Sequence, residues 1–282
     1  MKTQLYVCSL LVFALSACGG PTEGDLENIT SDNAIIGGKE TTKDNVLSKY
    51  VVLIHDAPTK NYCTGILIKK NVILTAAHCV PGSAATLSLA FGLRPLAGQY
   101  ILRQAIRAIP HSEFKKQNAN DRDDIALILI NGEAPQGYEP AVLPDETFPF
   151  KAGLGFTGIG YGRTSGKTAV SKEDTQGSGT LRHVDLLVDS ISKTEEQFYV
   201  NQKDHKGICN GDSGGPAMMR YMGKDFIVGI ASATSWTMPN DIKKSERDEF
   251  MRNKDFCGEK SIYMNVKKYR PWIDRELKKL LN

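Results

Sequence analysis

The sequence predicts an all-β fold in two halves, followed by a single helix at the C-terminus. Short apolar and β-branched runs recur along the 282-residue chain, and its 26 glycines favour tight turns between short strands. A stretch that contains proline and glycine, residues 131–150, separates one set of runs from the next. Two strand-rich halves of this kind favour paired barrels or paired sandwiches.

The candidate strands follow in chain order. In the first half they lie within residues 50–55, 66–80 and 125–130. The last of these is an uninterrupted apolar run, as expected of a strand that is buried on both faces. In the second half the candidate strands lie within residues 153–161, 181–191, 217–219, 226–232 and 261–266.

The segment from Val266 to Leu281 has a different pattern, with apolar residues at helical spacing among lysines and arginines. The apolar positions are Tyr269, Trp272, Ile273, Leu277, Leu280 and Leu281. This spacing predicts an amphipathic helix. A helix that lies on a membrane surface is the alternative, but we favour a terminal helix docked on its own domain.

The charge distribution argues against a nucleic-acid partner. The formal net charge is only +3, and no stretch away from the N-terminus has the clustered Lys/Arg face that phosphate binding needs. A content of 41% hydrophobic and 24% charged residues is ordinary for a soluble protein. Residues 241–254 are rich in both signs of charge and predict a solvated loop or a short surface helix.

The N-terminus has the pattern of an export signal. Lys2 supplies the positive charge, and an apolar run at residues 5–15 is followed by small residues. The run is too short to be a membrane-spanning helix. This pattern predicts that the chain is exported.

Residues 15–18, Leu-Ser-Ala-Cys, resemble the bacterial lipobox, in which the signal is cut before a cysteine whose thiol carries diacylglycerol. The resemblance predicts a lipoprotein signal peptide over residues 1–17 and a lipidated tether or propeptide over residues 18–34. An ordinary signal peptide that happens to contain Cys18 is the alternative. Gly19 is not an aspartate-type retention signal, so the resemblance implies an outer-membrane lipoprotein precursor.

The cysteine count is consistent with export. Of six cysteines, Cys8 leaves with the signal and Cys18 is the predicted lipidation site. An even number then remains, which favours two disulfides in an exported chain. Metal binding is the alternative, but the sequence has no C-x-x-C pair and no H-E-x-x-H motif. The remaining cysteines are Cys63, Cys79, Cys209 and Cys257.

The string GDSGGP at residues 211–216 suits a catalytic serine, because a hydroxyl needs a base beside it and donors for the developing oxyanion. Glycines on both sides of Ser213 allow the backbone to approach a substrate closely and to adopt positive φ. The N–H groups of Gly211 and Ser213 could then point at one carbonyl oxygen. By composition alone, the string could also be an ordinary glycine-rich turn.

Three motifs resemble those of the trypsin/chymotrypsin family of serine proteases. GDSGGP resembles the nucleophile loop of that family, TAAHC at residues 75–79 its histidine motif, and DIAL at residues 124–127 its aspartate motif. They occur in the family's order, at separations of 46 and 89 residues. From Ile35 to the C-terminus the chain is therefore identified as a member of this family, as a bacterial lipoprotein precursor.

The resemblance implies two antiparallel β-barrels packed face to face, with the active site in the cleft between them. The protease domain would cover residues 35–282, with the first barrel at about 35–135, the second at about 150–266 and the helix at about 266–281. The four cysteines would pair as Cys63–Cys79, beside the histidine, and Cys209–Cys257, across the specificity pocket.

The resemblance also assigns the chemistry. Ser213 would be the nucleophile, His78 the general base, Asp124 the acid that orients the histidine, and the N–H groups of Gly211 and Ser213 the oxyanion hole. Asp121 and Asp123 are alternatives to Asp124 by proximity, but only Asp124 adjoins the apolar run. For the other four histidines we expect structural roles: His55, His111, His183 and His205.

IIGG at residues 35–38 resembles the new N-terminus that the family's zymogens gain on cleavage. The resemblance implies a cut after Ala34, with the freed amine of Ile35 pairing with Asp212. A simple turn after a β-branched pair is the alternative. Such a cut would separate the protease domain from the lipid on Cys18 and leave it in the periplasm or outside the cell.

The family's pocket floor, six residues before the nucleophile, would here be Gly207, followed by Ile208. Because no aspartate lies there, we expect no preference for Lys or Arg. Thr234 and Ser261 would lie on opposite walls and shorten the pocket, and Ser232 would lie beside it. These residues predict cleavage after small or medium apolar residues.

The predicted function is therefore that of an exported serine endopeptidase, made as a zymogen, that acts as a monomer on protein or peptide substrates. Before activation, the chain is predicted to be anchored to outer-membrane lipid through the lipidated Cys18. The resemblance implies no cofactor and no metal site. No EF-hand-like loop appears in the sequence, which leaves open whether the protein binds calcium. The alternative is a catalytically silent, protease-like binding lipoprotein.

Overall fold

The structure is a computed structural model that describes residues 35–115, 122–167 and 176–281. The predicted signal peptide, the tether with Cys18, Ala34 and Asp121 lie outside the described residues. The described chain is mostly β-structure with a C-terminal helix, so the all-β prediction is confirmed.

The first half forms a closed barrel of six antiparallel strands in the order β2-β3-β4-β7-β6-β5. The predicted apolar strand at 125–130 is confirmed as β7, which is buried on both faces apart from Leu129. The strands of the barrel are β2 (Val51–Asp56), β3 (Asn61–Lys69), β4 (Val72–Thr75), β5 (Leu87–Arg94), β6 (Gln99–Pro110) and β7 (Ala126–Ile130).

The second half forms an eight-stranded sheet in the order β1-β9-β8-β12-β13-β14-β11-β10. Its first member, β1 (Lys39–Glu40), precedes the barrel in sequence but pairs with the second sheet, because Lys39 lies opposite His183. The other strands are β8 (Gly155–Gly160), β9 (Arg182–Leu187), β10 (Ser190–Ile191), β11 (Gln197–Asn201), β12 (Pro216–Tyr221), β13 (Lys224–Ser235) and β14 (Lys260–Asn265).

Hydrogen bonds join the two halves at the level of the cleft. The hydroxyl of Tyr161, wholly buried between them, donates to the carbonyl oxygen of Gly92 at 2.8 Å. The N–H of Thr64 in β3 donates to the carbonyl oxygen of Ser213 at 2.8 Å. The predicted nucleophile is thus held against the first barrel by its own backbone.

The C-terminal helix α2 (Val266–Leu281) packs its apolar face on the protein, as predicted, except that Leu281 at its end is 51% exposed. Tyr269, Trp272, Ile273, Leu277 and Leu280 are all buried and belong to the same core cluster as the barrel. The charged segment 241–254 contains a 3₁₀ turn (Lys244–Glu246) and a short helix α1 (Arg247–Asn253). None of the helices described is both long and apolar enough to span a bilayer. Further 3₁₀ turns lie at Val46–Lys49, Ala77–Cys79, Ala84–Thr86 and Pro95–Ala97.

Candidate active site

His78 lies in the 3₁₀ turn that follows β4, at the edge of the first barrel. Two contacts fix this turn. The hydroxyl of Thr75 donates to the carbonyl oxygen of Thr64 at 2.9 Å, and a disulfide joins Cys79 to Cys63 in β3. The histidine therefore sits on a segment that is tied twice to the neighbouring strand.

Asp124 is 1% exposed and lies beside His78. Its Oδ2 is 2.8 Å from Nδ1 of His78, and its Oδ1 accepts from the backbone N–H of His78 at 2.9 Å. The hydroxyl of Ser232 donates to Oδ2 at 2.6 Å. Because three groups hold the carboxylate and two of them belong to His78, the orientation of the imidazole ring is fixed.

The neighbouring Asp123 is engaged elsewhere. Its Oδ1 accepts from the hydroxyl of Tyr269 at 3.1 Å and lies 3.7 Å from Nδ1 of His111. The side chains of Asp123 and Asp124 thus face different histidines, and only Asp124 faces His78.

The loop that carries Ser213 needs its glycines. Gly211 and Gly214 both have positive φ, 98° and 79°. A Cβ on Gly214 would overlap Thr64 and Thr75, and a Cβ on Gly211 would lie 2.8 Å from Cα of Gly162. The loop therefore lies close to the first barrel at a point where a side chain would not fit.

Two hydrogen bonds fix the directions of the predicted oxyanion donors. The carbonyl oxygen of Asn210 accepts from the N–H of Arg163 at 2.8 Å, and that of Asp212 accepts from the N–H of Gly215 at 2.8 Å. In a trans peptide the C=O and the next N–H point in opposite directions, and the described residues have no cis bond. The N–H groups of Gly211 and Ser213 are therefore aimed away from Arg163 and Gly215.

Ser213, Gly211 and His78 line one cavity of about 480 Å³ between the two halves. The structure thus brings together the serine, the histidine with its buried aspartate, and the loop with the oriented N–H groups. These are the parts needed for nucleophilic attack on a carbonyl group: a hydroxyl, a base, a group that orients the base and donors for an oxyanion.

Asp212 is a buried carboxylate directly beside the nucleophile. Its Oδ1 accepts from the N–H of Gly162 at 2.8 Å, and its Oδ2 accepts from the N–H of Cys209 at 2.9 Å. Burial raises the pKa of Asp212 to about 7, and these hydrogen bonds and the charge of Arg182 offset only part of that rise. The carboxylate is thus suited to an additional cationic partner.

The segment 35–38 is docked in the second half. Ile35 is wholly buried in the core of the second half, and the carbonyl oxygen of Ile36 accepts from the N–H of Gly207 at 3.0 Å. Gly37 has φ of 67°, and a Cβ there would overlap the carbonyl oxygen of His205. The sequence at these positions therefore suits a segment that packs tightly rather than a free turn.

The raised pKa of Asp212 predicts a pH dependence of stability before any cleavage. Between its ordinary value of 3.8 and about 7, the folded chain holds a proton that the unfolded chain has released. The contribution of Asp212 to the free energy of unfolding should therefore fall across this interval and level off above pH 7. We expect Asp212→Asn to remove this slope.

Urea unfolding of the full chain between pH 5 and 8 checks this, in a Ser213→Ala background that removes the candidate nucleophile. Asp185→Asn, at an exposed carboxylate in β9, is the matched control. If the free energies of unfolding of Asp212→Asn and its parent differ by the same amount at every pH in this range, the prediction is wrong.

Three of the predicted pocket residues lie on the paired strands β13 and β14, and the predicted disulfide Cys209–Cys257 is present. Thr234 in β13 is opposite Ser261 in β14, and Ser261 is wholly buried. Its hydroxyl has no hydrogen-bond partner within the described part of the chain. The structure thus brings Thr234 and Ser261 together, while Ser232 directs its hydroxyl to Asp124 rather than to the pocket.

Gln202 is a residue that the sequence analysis missed. Its wholly buried side chain occupies the space beside Gly207, where a Cβ would overlap its amide. The amide accepts from the N–H of Ile208 at 2.8 Å and donates to the carbonyl oxygens of Ile208 and Cys257. No local pattern marks Gln202, because its partners include a segment 55 residues away.

Comparisons with known proteins agree with this geometry. Residues 35–273 match the trypsin family. Cathepsin G of Mus musculus is 28% identical over 68% of this chain and 75% of its own length. Human granzyme H is 26% identical over 96% of this chain and 98% of its own, and human granzyme M is 29% identical over 84% and 90%.

Proposed function

The chain belongs to the trypsin family of serine proteases, and from this we propose that it is an exported serine endopeptidase made as a zymogen. One observation supports the catalytic part above all. His78, oriented by the buried Asp124, lines the same cavity as Ser213 and Gly211.

In the proposed reaction the hydroxyl oxygen of Ser213 attacks the carbonyl carbon of the scissile bond, while Nε2 of His78 takes the hydroxyl proton. The N–H groups of Gly211 and Ser213 stabilise the negative oxygen that forms. His78 then gives the proton to the leaving amine, which breaks the C–N bond and leaves an acyl group on Ser213. Water, activated by His78, hydrolyses the ester, and Asp124 stabilises each imidazolium that forms.

We further propose that cleavage after Ala34 activates the enzyme. The new ammonium group of Ile35 would pair with Asp212, whose buried carboxylate is suited to a cation. The positive charge would lower the pKa of Asp212 again and keep this residue ionised. Because Asp212 immediately precedes Ser213, the ion pair would secure the loop that aims the oxyanion donors.

For specificity we propose cleavage after small or medium apolar residues. The support is the filled space beside Gly207, where Gln202 lies, and the opposed positions of Thr234 and Ser261. Profiling the chain that begins at Ile35 on a peptide library tests this. Cleavage mainly after Lys, Arg or large aromatic residues would contradict it.

For localisation we propose an outer-membrane lipoprotein precursor, anchored through Cys18 until activation releases the protease domain. The support is the lipobox-like sequence at residues 15–18. Mass spectrometry of the N-terminal peptide, after expression in a bacterium with an outer membrane, tests this. A mature chain without diacylglycerol on Cys18 would contradict it.

A fluorophosphonate probe tests the catalytic proposal against the alternative of a silent binding lipoprotein. The chain that begins at Ile35 should be labelled at Ser213, because this hydroxyl lines the same cavity as His78, the imidazole that Asp124 orients. Ser178→Ala, at another serine of the same cavity, should be labelled like the parent chain. Absence of labelling in the folded chain would favour the binding alternative.

A further inference from the structure

The cavity beside Ser213 carries two cationic side chains that the proposed mechanism does not use. Lys60 lies at the tip of the turn between β2 and β3, and Arg163 follows β8 in the second half. Across the described ranges, neither side chain has an ion pair. The two halves thus each contribute one available positive charge to the same cavity.

The acidic group in the cavity wall, Asp56, is already engaged. Its Oδ2 accepts from the hydroxyl of Thr59 at 2.6 Å, and its Oδ1 accepts from the hydroxyl of Thr86 at 2.7 Å. The residue is only 5% exposed, and its pKa is lowered, first by the Thr59 hydrogen bond. Asp56 therefore shapes the turn that carries Lys60 rather than meeting a bound ligand.

The position of the cavity indicates which part of a substrate would enter it. Its walls include the Cys63–Cys79 disulfide and the β2–β3 turn, but none of Gly207, Thr234 and Ser261. A peptide whose scissile carbonyl carbon lies at Ser213 would place the residue before the scissile bond near Gly207, Thr234 and Ser261. The residues after the scissile bond would then lie in the cavity.

We propose that Lys60 and Arg163 bind a carboxylate on the leaving-group side of the substrate, at the first or second residue after the scissile bond. This inference rests on the proposed function and deepens it. A carboxylate there would accept charge-assisted hydrogen bonds from a guanidinium and an ammonium group. The enzyme would thus prefer bonds followed closely by Asp or Glu, or by the C-terminal carboxylate of a short peptide.

Paired peptides test the inference with the chain that begins at Ile35. The peptides are identical before the scissile bond and carry Glu or Gln at the first or second position after it. We expect kcat/KM to be about tenfold higher for the better placed Glu than for Gln at low salt. The preference should shrink at high salt, because both cations lie in an open cavity.

A second pair separates the two sources of the carboxylate. Short peptides that end at the second residue after the bond carry a free or an amidated C-terminus. If kcat/KM rises only for the Glu peptides, the cavity binds side-chain carboxylates. If it rises only for the peptides with a free C-terminus, the cavity binds the terminal carboxylate. Equal rates within all of these pairs would overturn the inference.

Variants connect the preference with the two residues. Lys60→Gln and Arg163→Gln should each reduce the Glu/Gln ratio of kcat/KM, and the double variant should bring that ratio close to one. Lys224→Gln, at an exposed lysine in β13, is the control and should keep the full ratio. A ratio that survives in the double variant would contradict the assignment.

An ester substrate with no residue after the scissile bond distinguishes the failure of this inference from the failure of the proposed function. If the parent chain cleaves the ester but shows no Glu/Gln preference, only the inference fails. If it cleaves neither the ester nor any peptide, the proposed function fails with it.

Discussion

Replacement of Ser213 by alanine is expected to lower kcat by about 10⁶-fold, and replacement of His78 by alanine should cost a similar factor. The hydroxyl and the imidazole perform one proton transfer, so that neither works without the other. The double variant should therefore be no slower than either single variant. Steady-state hydrolysis of a peptide anilide by the chain that begins at Ile35 measures all three.

Ser178→Ala is the matched control, because Ser178 lines the same cavity and has no part in the proposed chemistry. Its kcat should stay within a few-fold of the parent value. The residual rate of the Ser213 variant should still exceed that of water, since the oxyanion donors remain. A Ser213→Ala chain that keeps more than about 1% of the parent kcat would rule out Ser213 as the nucleophile.

Replacement of Asp124 by asparagine is expected to lower kcat by about 10⁴-fold. Oδ2 of the carboxylate accepts from the ring of His78 and from Ser232, and Oδ1 accepts from the backbone N–H of His78, whereas an amide must place its NH₂ group at one of these two positions. If the amide nitrogen faces Nδ1, the imidazole takes the opposite tautomer and Nε2 carries a proton. The base can then no longer accept the proton of Ser213.

Ser232→Ala separates this tautomer effect from simple loss of a hydrogen bond. It removes one of the three donors to Asp124 and leaves both contacts from His78, so we expect a loss of about tenfold or less. The free energy of unfolding of each variant, from urea titration, shows whether the fold is kept. Equal losses in kcat for the two variants would contradict the tautomer argument.

Contiguous strings made the core of the site predictable. Ser213, His78 and Asp124 each lie in a motif of four to six residues, and the apolar run that forms β7 marks Asp124 over Asp123. Helix α2 was predictable as well, because its apolar residues recur with a helical period within a single segment. In both cases the information lies within a few neighbouring residues.

The missed features depend on partners that are distant in sequence. The role of Ser232 appears only when β13 brings it to Asp124, 108 residues away. Strand β1 joins the second sheet through His183 rather than the adjacent barrel, and nothing in its two residues indicates that choice. Gln202 acquires its position only when Cys257 returns to the same place. Local periodicity cannot report such long-range pairing.

If the proposed cleavage after Ala34 occurs, the docked state of Ile35 and Ile36 would make it depend on local opening of this segment. A processing protease needs an extended stretch on both sides of the bond it cuts, yet the residues after this bond, Ile35 and Ile36, are buried, and Ile36 is hydrogen-bonded to Gly207. The peptide bond would become susceptible only during transient detachment of the segment, so the rate of the proposed cleavage would depend on the opening equilibrium as well as on the abundance of the processing enzyme. Substitutions that loosen the docking of Ile35 and Ile36 would speed the proposed cleavage, but they would also weaken contacts that the cleaved enzyme would need.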